Sequence, residues 1–391
     1  MPTYSASTVE MSLNNVRATM PMYINGYIDN TVRMHVLLNM MKQWGTIITK
    51  AGSSVRKWQI KVRSQDVRVK RATSQLTFQN SQLYEQCEIG TRAIEATDML
   101  LESDWKENQG DTQLIDLLGD KMKTMNETLG RRLSEYLVHD GDSADYLESF
   151  NGFESCLADD GNTVVGDRYA LPSDTYAGQS TALANFGGIW NDQAGAGAYN
   201  TQLSDSWPHG VGSDEYDANS PLLVNWSSAA WGTSSNEWID NCEIVVRETS
   251  LLQKTRTGAK SGMLFMMPVH MMTDAMNFYS GRYRIYQPFG GGDMGYSDTS
   301  TILVDGAMIH GAHEIPLNTF YGLHPDLIEA FFFPITNLGD GPNRVGADSM
   351  IDCFGPDWVP TEGAWVMRAN SFGNLRMRPR NMVKGKNYAS A

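Results

Sequence analysis

Residues 58–63 read WQIKVR, a stretch in which apolar side chains alternate with polar or charged ones. The alternation returns in residues 67–70 and again in residues 76–79. A period of two predicts β-strands with one apolar and one polar face, and a polar link between such runs predicts a long two-stranded β-ribbon. Because an isolated two-stranded ribbon is marginal in water, its apolar face needs another surface. We therefore expect a second copy of the chain to cover the ribbon.

The residues predicted to contact that second copy are the apolar and basic side chains of the ribbon. They are Trp58, Ile60, Lys61, Val62, Arg63, Arg68, Lys70, Arg71 and Phe78. Burial of the apolar members would supply most of the cohesion, at about 25 cal/mol per Å². Exposed ion pairs are worth only ~0–1 kcal/mol each, so the basic members would set the register and orientation of the contact.

Charge is distributed unevenly along the 391 residues. The net charge of −14 disfavours a protein whose main task is to grip phosphate backbones. Residues 50–71 contain eight basic side chains and one acidic, residues 140–217 contain fourteen acidic and one basic, and the chain after residue 362 contains six basic and none acidic. Two interpretations stay open: solvated faces that differ in sign, or the basic segment of one copy lying on the acidic segment of another.

The strongest helical signal is an apolar stripe within residues 111–139. Its members recur at steps of three and four, namely Leu114, Leu118, Met122, Met125, Leu129, Leu133 and Tyr136. This spacing predicts one helix with a continuous apolar face, which begins at Asp111 or Thr112 as N-cap and stops at Gly141. At 1.5 Å per residue, the helix would be roughly 43 Å long. A coiled coil is the alternative interpretation of the stripe.

Shorter patterns flank the ribbon and the helix. An arm precedes the ribbon, with a helix capped by Asn30 that ends before Gly45. After residue 240 the patterns predict a mixed α/β region, in which Pro268 opens a helix. The predicted strands are 244–246, 263–267, 283–285, 302–304, 330–333, 365–367 and 375–378.

Residues 142–240 lack clear periodicity and are rich in small and polar side chains. Five of the ten tryptophans lie there, namely Trp190, Trp207, Trp226, Trp231 and Trp238. We expect a long, surface-exposed excursion that still folds. The alternative is that these aromatic rings are platforms on which sugars stack.

The sequence offers no specific catalytic signature. His310, His313 and Glu314 form H-x-x-H-E, but their strand-like context does not place the ligands on one helix face as a zinc site requires. Residues 290–292 are glycines without the strand, helix and Lys-Ser/Thr pair of a phosphate loop, and neither G-x-S-x-G nor C-x-x-C occurs. We therefore predict that the protein is not an enzyme, with no catalytic residues, no cofactor and no metal.

The same sequence predicts a soluble, non-secreted protein. The longest apolar stretch, residues 263–269, is much shorter than the ~20 residues that span a bilayer. The first residues lack the basic and apolar regions of a signal peptide. No membrane partner is expected.

The order of arm, basic ribbon, long amphipathic helix, mixed α/β region and final strands resembles the major capsid proteins of tailed phages, the Hong Kong 97 type of fold. Residues 58–90 are similar to that family's extended loop. Residues 98–102, followed by 111–141, look like the start of its spine helix. Residues 175–180 and 187–190 are similar to the turn and tryptophan that follow the spine.

The resemblance implies an α+β fold of five segments. An N-terminal arm occupies residues 1–49, an extended β-ribbon loop 50–95, and the spine helix of a peripheral domain 96–141. An axial domain with a mixed sheet occupies residues 142–345, with an expanded insertion at 190–240. Returning strands of both domains and a basic tail occupy residues 346–391.

The function implied by the resemblance is that of a major capsid protein, which self-assembles as hexamers and pentamers into the icosahedral shell around the genome of a tailed double-stranded DNA phage. It would be part of the virion and assemble in the host cytoplasm. Its partners would be copies of itself, packaged DNA without sequence-specific binding, and scaffolding, portal and decoration proteins. Some relatives crosslink through a ribbon lysine, but no match to that position is evident for Lys57, Lys61 or Lys70.

Three alternatives remain at this point. An encapsulin-type compartment shell has the same fold. Another virion protein, such as a portal or tail component, is compatible with a long central helix. A carbohydrate-active enzyme or binding protein would use the tryptophan-rich region.

Overall fold

The fold was analysed in a computed structural model. It describes residues 37, 41, 46–49, 55–65, 82–107, 117–145, 148–164, 168–188, 206–209, 214–233, 235–258, 262–282, 301–304, 306–325, 328–332 and 352–387. The predicted ribbon strands at 67–70 and 76–79, the strand at 283–285 and most of the arm lie outside these residues. Of the predicted arm helix, Leu37 and Met41 are described, and both are helical and buried.

The described strands are numbered in chain order. They are β1 Ile47–Thr49, β2 Val55–Lys61, β3 Tyr84–Gly90, β4 Arg92–Leu101, β5 Asp159–Val164, β6 Tyr169–Pro172, β7 Thr175–Tyr176, β8 Gln179–Ser180, β9 Leu222–Asn225, β10 Leu264–Met267, β11 Thr301–Val304, β12 Ala307–Gly311, β13 Thr319–Leu323, β14 Glu329–Phe332, β15 Asp352–Val359, β16 Ala364–Arg376 and β17 Val383–Lys386. The longer helices are α1 Glu102–Glu107, α2 Leu117–Tyr136, α3 Trp238–Thr257 and α4 Val269–Arg282. Single helical turns occupy Phe153–Cys156, Ser206–His209, Ala229–Trp231 and Pro379–Asn381.

A five-stranded sheet is built around the long strand β16. One edge of β16 pairs antiparallel with β4 over ten residues, from Ala364 opposite Leu101 to Gly373 opposite Arg92. Its other edge pairs with β15 and then β14, and β1 adds to β14 in parallel. Two predicted strands, 365–367 and 375–378, are thus parts of one strand that ends at Arg376.

Helix α2 covers one face of this sheet. Met125 packs with Met367 and Ala369 of β16, and Lys121 pairs with Asp98 of β4 at 3.2 Å. Leu129 and Leu133 are buried, so the predicted apolar stripe is confirmed for its described members. The coiled-coil interpretation is wrong because the chain's own sheet covers this stripe. The helix ends at Tyr136, before the predicted stop at Gly141, and residues 98–101, predicted to start the helix, belong to strand β4.

An eight-stranded mixed sheet forms the second layer, in the order β11-β12-β10-β13-β17-β9-β6-β5. Alternate residues of its central strands enter two different hydrophobic clusters. Leu223, Leu264, Met266, Tyr321 and Leu323 face the cluster shared with the end of α2, and Leu222, Val224, Phe265, Met267 and Phe320 face α3 and α4. A sheet buried on both faces needs continuous apolar runs, which explains LLV at 222–224 and LFMM at 264–267.

The tryptophans predicted to be exposed are core residues. Trp207, Trp226, Trp231 and Trp238 are at most 4% exposed and belong to the cluster beneath α3 and α4. The indole N–H groups of Trp226, Trp231 and Trp238 donate to the backbone carbonyls of Asn318, Asn225 and Met271, respectively, at 2.7–2.9 Å. The predictions of a surface excursion and of sugar-stacking platforms are therefore wrong for these four rings. Trp190 lies outside the described residues.

One further prediction about the C-terminal half is wrong. Residues 244–246 form part of helix α3 rather than a strand, because Trp238, Cys242, Val245 and Val246 share one buried helix face. Within the predicted 190–240 insertion, strand β9 lies inside the eight-stranded sheet, between β17 and β6. Much of the predicted basic tail is strand β17, which pairs with both β13 and β9.

Two glycines in regular structure give opposite predictions for substitution by alanine. A Cβ at Gly130 in α2 meets no atom within 4 Å, whereas a Cβ at Gly385 in β17 would overlap the ring of Phe320 on the neighbouring strand. We expect Gly130→Ala to raise the free energy of unfolding by about 0.5–1 kcal/mol. Gly385→Ala should lower it by about 1–3 kcal/mol. Denaturant unfolding of the full chain checks this, and shifts of both variants in one direction would contradict the packing described.

Candidate functional site: the β-ribbon and its base

Strands β2 and β3 form the predicted two-stranded ribbon. They pair antiparallel from Val55 opposite Gly90 to Lys61 opposite Tyr84, and the Val62 N–H extends the ladder to the Leu83 carbonyl at 3.0 Å. Directly opposed residues share a face, so Trp58 and Cys87 lie together. The ribbon prediction is confirmed for this part, and residues 66–81 lie outside the described chain.

One face of the ribbon is polar and open to solvent. Its exposed residues are Lys57, Gln59, Lys61, Tyr84, Gln86 and Glu88. Lys57 and Glu88 form a cross-strand ion pair at 2.9 Å with both side chains more than half exposed. Such a pair is worth ~0–1 kcal/mol, so this face is available for contacts at little energetic cost.

The other face packs on the body of the same chain. The Trp58 ring lies 6.5 Å from the Tyr176 ring, and the Arg376 guanidinium carbon lies 5.3 Å from the centre of the Trp58 ring. Cys87 and Ile89 are buried beside it. Trp58 therefore joins the ribbon to strand β7 and to the end of strand β16.

The two side chains that hold Trp58 are themselves fixed. Arg376 pairs with Glu329 of the neighbouring strand at 2.6 Å. The Tyr176 hydroxyl donates to the Leu375 carbonyl at 2.8 Å and accepts the Met377 N–H at 3.1 Å. Burial raises the pKa of Tyr176 well above its ordinary value. The base of the ribbon is therefore the Trp58–Tyr176 pair, held by a network of hydrogen bonds and an ion pair. Such a network favours one fixed geometry.

Hydrogen bonds add a second attachment beside the aromatic contact. The β7–β8 hairpin turns at Ala177 and Gly178, both with positive φ, and the Ala177 carbonyl accepts the Glu88 N–H at 3.1 Å. Gln179 donates from Nε2 to the Gln86 carbonyl at 2.9 Å. Farther along, Arg63 donates to the Phe186 carbonyl at 2.8 Å. Strand β3 and Arg63, two residues beyond the end of β2, are thereby tied to the body.

This arrangement corrects part of the predicted interface. Val62 is 2% exposed and Trp58 is half-buried against Tyr176, so the chain's own residues cover the face that was expected to await a second copy. Ile60 is partly exposed, and Lys61 and Arg63 are exposed. The other four predicted contact residues, Arg68, Lys70, Arg71 and Phe78, lie outside the described residues.

Sequence reasoning missed the partners of Trp58. Tyr176 and Arg376 are far from the ribbon in sequence, and no local pattern connects them to it. The sequence marks residues 175–180 as a turn, but the contact of this turn with the ribbon depends on the tertiary fold.

The acidic segment finds partners within its own chain. Asp217 pairs with Arg256 at 2.9 Å, Glu154 pairs with Lys384 at 2.5 Å, and Asp142 pairs with Arg92. The interpretation that this segment receives the basic segment of another copy is therefore wrong for these three carboxylates. Two of the C-terminal bases, Arg380 and Lys384, are likewise paired inside the chain.

The H-x-x-H-E residues do not form a compact ligand set. His310 lies in β12, where burial lowers its pKa, whereas Glu314 lies in the turn that follows and accepts a hydrogen bond from Ser134 at 3.2 Å. Among the residues that the structure describes, no group of three or more His, Cys, Asp or Glu side chains could hold a metal ion. Within the same part of the chain, no helix is long and apolar enough to span a membrane.

Comparison with known proteins gives no match to a protein-family model and none to a curated protein. Solved structures match over almost the full chain. The Cyanophage A-1(L) capsid asymmetric unit is 13% identical with a TM-score of 0.60, and the match covers 92% of this chain and 95% of that one. The capsid of the native GTA particle is 10% identical with a TM-score of 0.55, covering 98% and 99%.

A third match is the holo-SrpI encapsulin complex from Synechococcus elongatus PCC 7942, at 8% identity and a TM-score of 0.48, covering 99% of this chain and 96% of that one. At the identities of the first two, the likeness shows the fold of the chain.

The Trp58 contact predicts how Cys87 reacts. Burial raises the pKa of Cys87 to about 11, so at pH 8 the residue is a protected thiol. Trp58→Ala should loosen the ribbon base and speed alkylation of Cys87 at pH 8 by roughly tenfold or more. Peptide mass spectrometry measures the rate residue by residue.

Two controls accompany this experiment. Gln59→Ala, on the exposed face of the same strand, should leave the Cys87 rate unchanged. Cys242, whose pKa burial raises to about 12, lies in α3 and should stay protected in both variants. Equal Cys87 rates in the wild type and Trp58→Ala would show that Trp58 does not hold the ribbon base.

Proposed function

Because the chain has the Hong Kong 97-type capsid fold, we propose that it is a structural, non-enzymatic subunit that assembles with copies of itself into a closed shell. The observation that carries the proposal is the match to the Cyanophage A-1(L) capsid over 92% of this chain and 95% of that one. Nearly all of both chains is aligned, so the likeness concerns the complete subunit fold rather than one shared domain.

The finer proposal is a major capsid protein, which forms the icosahedral shell of a tailed double-stranded DNA phage from hexamers and pentamers. The two matches with TM-scores of 0.55 and above are capsids, one of a cyanophage and one of a GTA particle. A net charge of −14 suits a wall that encloses DNA without adhering to it. The runner-up is an encapsulin-type compartment, whose interior would hold a protein cargo.

Under this proposal the two sheets belong to different domains of the subunit. The five-stranded sheet with α2 would be the peripheral domain, and the eight-stranded sheet with α3 and α4 the axial domain. The ribbon β2–β3 would extend from the peripheral domain to a neighbouring subunit.

The part of the ribbon proposed to meet a neighbour is its outer face and its outer end. Trp58 and Val62 fix the base and Arg63 bonds to the Phe186 carbonyl, which leaves Ile60 and Lys61 toward a partner, together with the four predicted residues between 68 and 78. Tyr84, opposite Lys61, is 52% exposed and adds an aromatic ring to this face. An exposed tyrosine beside lysine can contribute both apolar area and a hydrogen bond.

A surface able to receive a neighbour's ribbon is the open face of the five-stranded sheet. Met99 and Leu101 of β4 are 53% and 39% exposed there, on the side of the sheet opposite α2. Directly opposite Met99 on β16 is Val366, which is only partly buried. Large apolar side chains beside the charged Arg368 form a surface that a partner would cover.

Electron microscopy of the purified full chain tests the shell. We expect closed particles tens of nanometres across, formed by the protein alone or with its scaffolding protein. A uniform monomer or dimer at every concentration, with scaffold present, would overturn the proposal. Nucleic acid packaged in particles from the native source favours the phage capsid, and an enclosed enzyme favours the compartment.

The charged ribbon predicts assembly that depends on salt. Raising NaCl from about 0.05 M to about 0.5 M shortens the Debye length severalfold, so light scattering should show assembly slowed severalfold. Lys61→Glu should slow assembly similarly at low salt, because it reverses a charge on the proposed contact face. Lys254→Glu, at an exposed position of α3, is the matched control and should assemble at the wild-type rate. Assembly indifferent to both salt and Lys61→Glu would refute this interface.

A further inference from the structure

Two arginines from distant parts of the chain meet at one carboxylate. Arg256, in the last turn of α3, donates to Asp217 Oδ2 from Nε at 3.1 Å and from Nη2 at 2.9 Å. Arg380, in the Pro379–Asn381 turn, places Nη2 3.4 Å from Asp217 Oδ1. Gln253 of α3 joins the same turn by donating to the Arg380 carbonyl at 3.1 Å.

The charges in this cluster do not balance. The Arg256 side chain is only 7% exposed, and arginine remains protonated in proteins. Burial lowers the pKa of Arg256, and the positive charge of Arg380 acts in the same direction, whereas Asp217 opposes them. Within the part of the chain that the structure describes, one carboxylate therefore serves two guanidinium groups. Arg256, the buried member, takes Asp217 as its counter-charge, and the partly exposed Arg380 is left with the longer contact to that carboxylate.

Three buried polar atoms around these arginines have no hydrogen-bond partner among the residues that the structure describes. They are Arg380 Nε, Ser220 Oγ and Trp207 Nε1. Trp207 and Ser220 are each 1% exposed. The Trp207 ring centre lies 5.5 Å from the Arg256 guanidinium carbon, and the Ser220 carbonyl accepts from Arg256 Nη2 at 2.9 Å. All three orphan atoms thus belong to residues that contact Arg256 or its carboxylate.

We propose that Arg380, Ser220 and Trp207, beside the buried Arg256, form a binding site for a small tetrahedral oxyanion of the inorganic phosphate type. Two of the orphan groups are N–H donors and the third is a hydroxyl that can donate, which matches an acceptor-only ligand. An oxyanion supplies several acceptor oxygens and the missing negative charge together, and guanidinium groups are suited to phosphate geometry. A water molecule would satisfy the donors but would add no negative charge beside Arg380.

Burial sets the size of the ligand. Trp207 and Ser220 are too enclosed for a side chain of another protein to reach, whereas Arg380 is 29% exposed and gives a small ion a path from solvent. A bound anion would connect the end of α3, the Pro379–Asn381 turn and residues 217–220. Because it binds only the folded arrangement, it would stabilise the domain built on the eight-stranded sheet.

Isothermal titration of inorganic phosphate into the full-length, unassembled chain tests the site, with ionic strength held constant by NaCl. We expect saturable binding of one phosphate per chain, with sulfate competing for it. Arg380→Gln should weaken the affinity at least tenfold. Arg378→Gln is the matched control, since Arg378 precedes the same turn and is exposed, and it should bind as the wild type does.

Ser220→Ala tests the same site in case Arg380→Gln fails to fold, because it removes a single oxygen atom. It should weaken the affinity for phosphate several-fold. Circular dichroism establishes that each variant is folded. Absence of saturable binding to the wild type, or equal affinities of Arg380→Gln and Arg378→Gln, would overturn the proposal. The measurement uses unassembled chain, so its outcome is independent of whether the protein forms a shell.

Discussion

A two-stranded ribbon cannot bury its apolar face alone. In this chain the body of the molecule covers that face at the ribbon base, and this contact fixes the direction of the ribbon. Trp58 packs between Tyr176 and Arg376, so residues from two distant strands cover the ribbon base. The Tyr176 hydroxyl is bonded on both sides to the strand that carries Arg376, which couples the base to the five-stranded sheet. The ribbon direction is thereby set by the chain itself, before any neighbour is present.

In the proposed shell, this fixed base lowers the free energy that each contact between subunits has to supply. An arm already held by its own body loses less conformational entropy on docking than a free hairpin would. A small outer face, with Lys61 and Tyr84, can then be sufficient because the contact is repeated around a closed particle. Weak individual contacts are also an advantage during growth, since a wrongly placed subunit can leave.

The elements that the sequence predicts well are those with a clear local period of apolar residues. The period-two run at residues 58–63 and the stripe of α2 both identify an element and its buried face. Prediction failed where tertiary burial decides: the triplet 244–246 has the β-branched composition of a strand, yet its neighbours at helical spacing place it in α3. The four tryptophans lie among polar residues, and only the packing of α3 and α4 on the eight-stranded sheet encloses them. The partners of Trp58 were invisible for the same reason.

The ion pairs within the chain change the interpretation of the charge distribution along the sequence. Arg380 and Lys384 pair with Asp217 and Glu154 inside the molecule, so these two C-terminal bases already have counter-charges within their own chain. The exposed lysines of the ribbon remain, on a chain whose net charge is −14. Two identical basic faces repel each other, which disfavours a symmetric pairing of ribbons. A basic ribbon on a different surface of the next copy, such as the open face of the five-stranded sheet, is a heterologous contact, and contacts of that kind can close into rings.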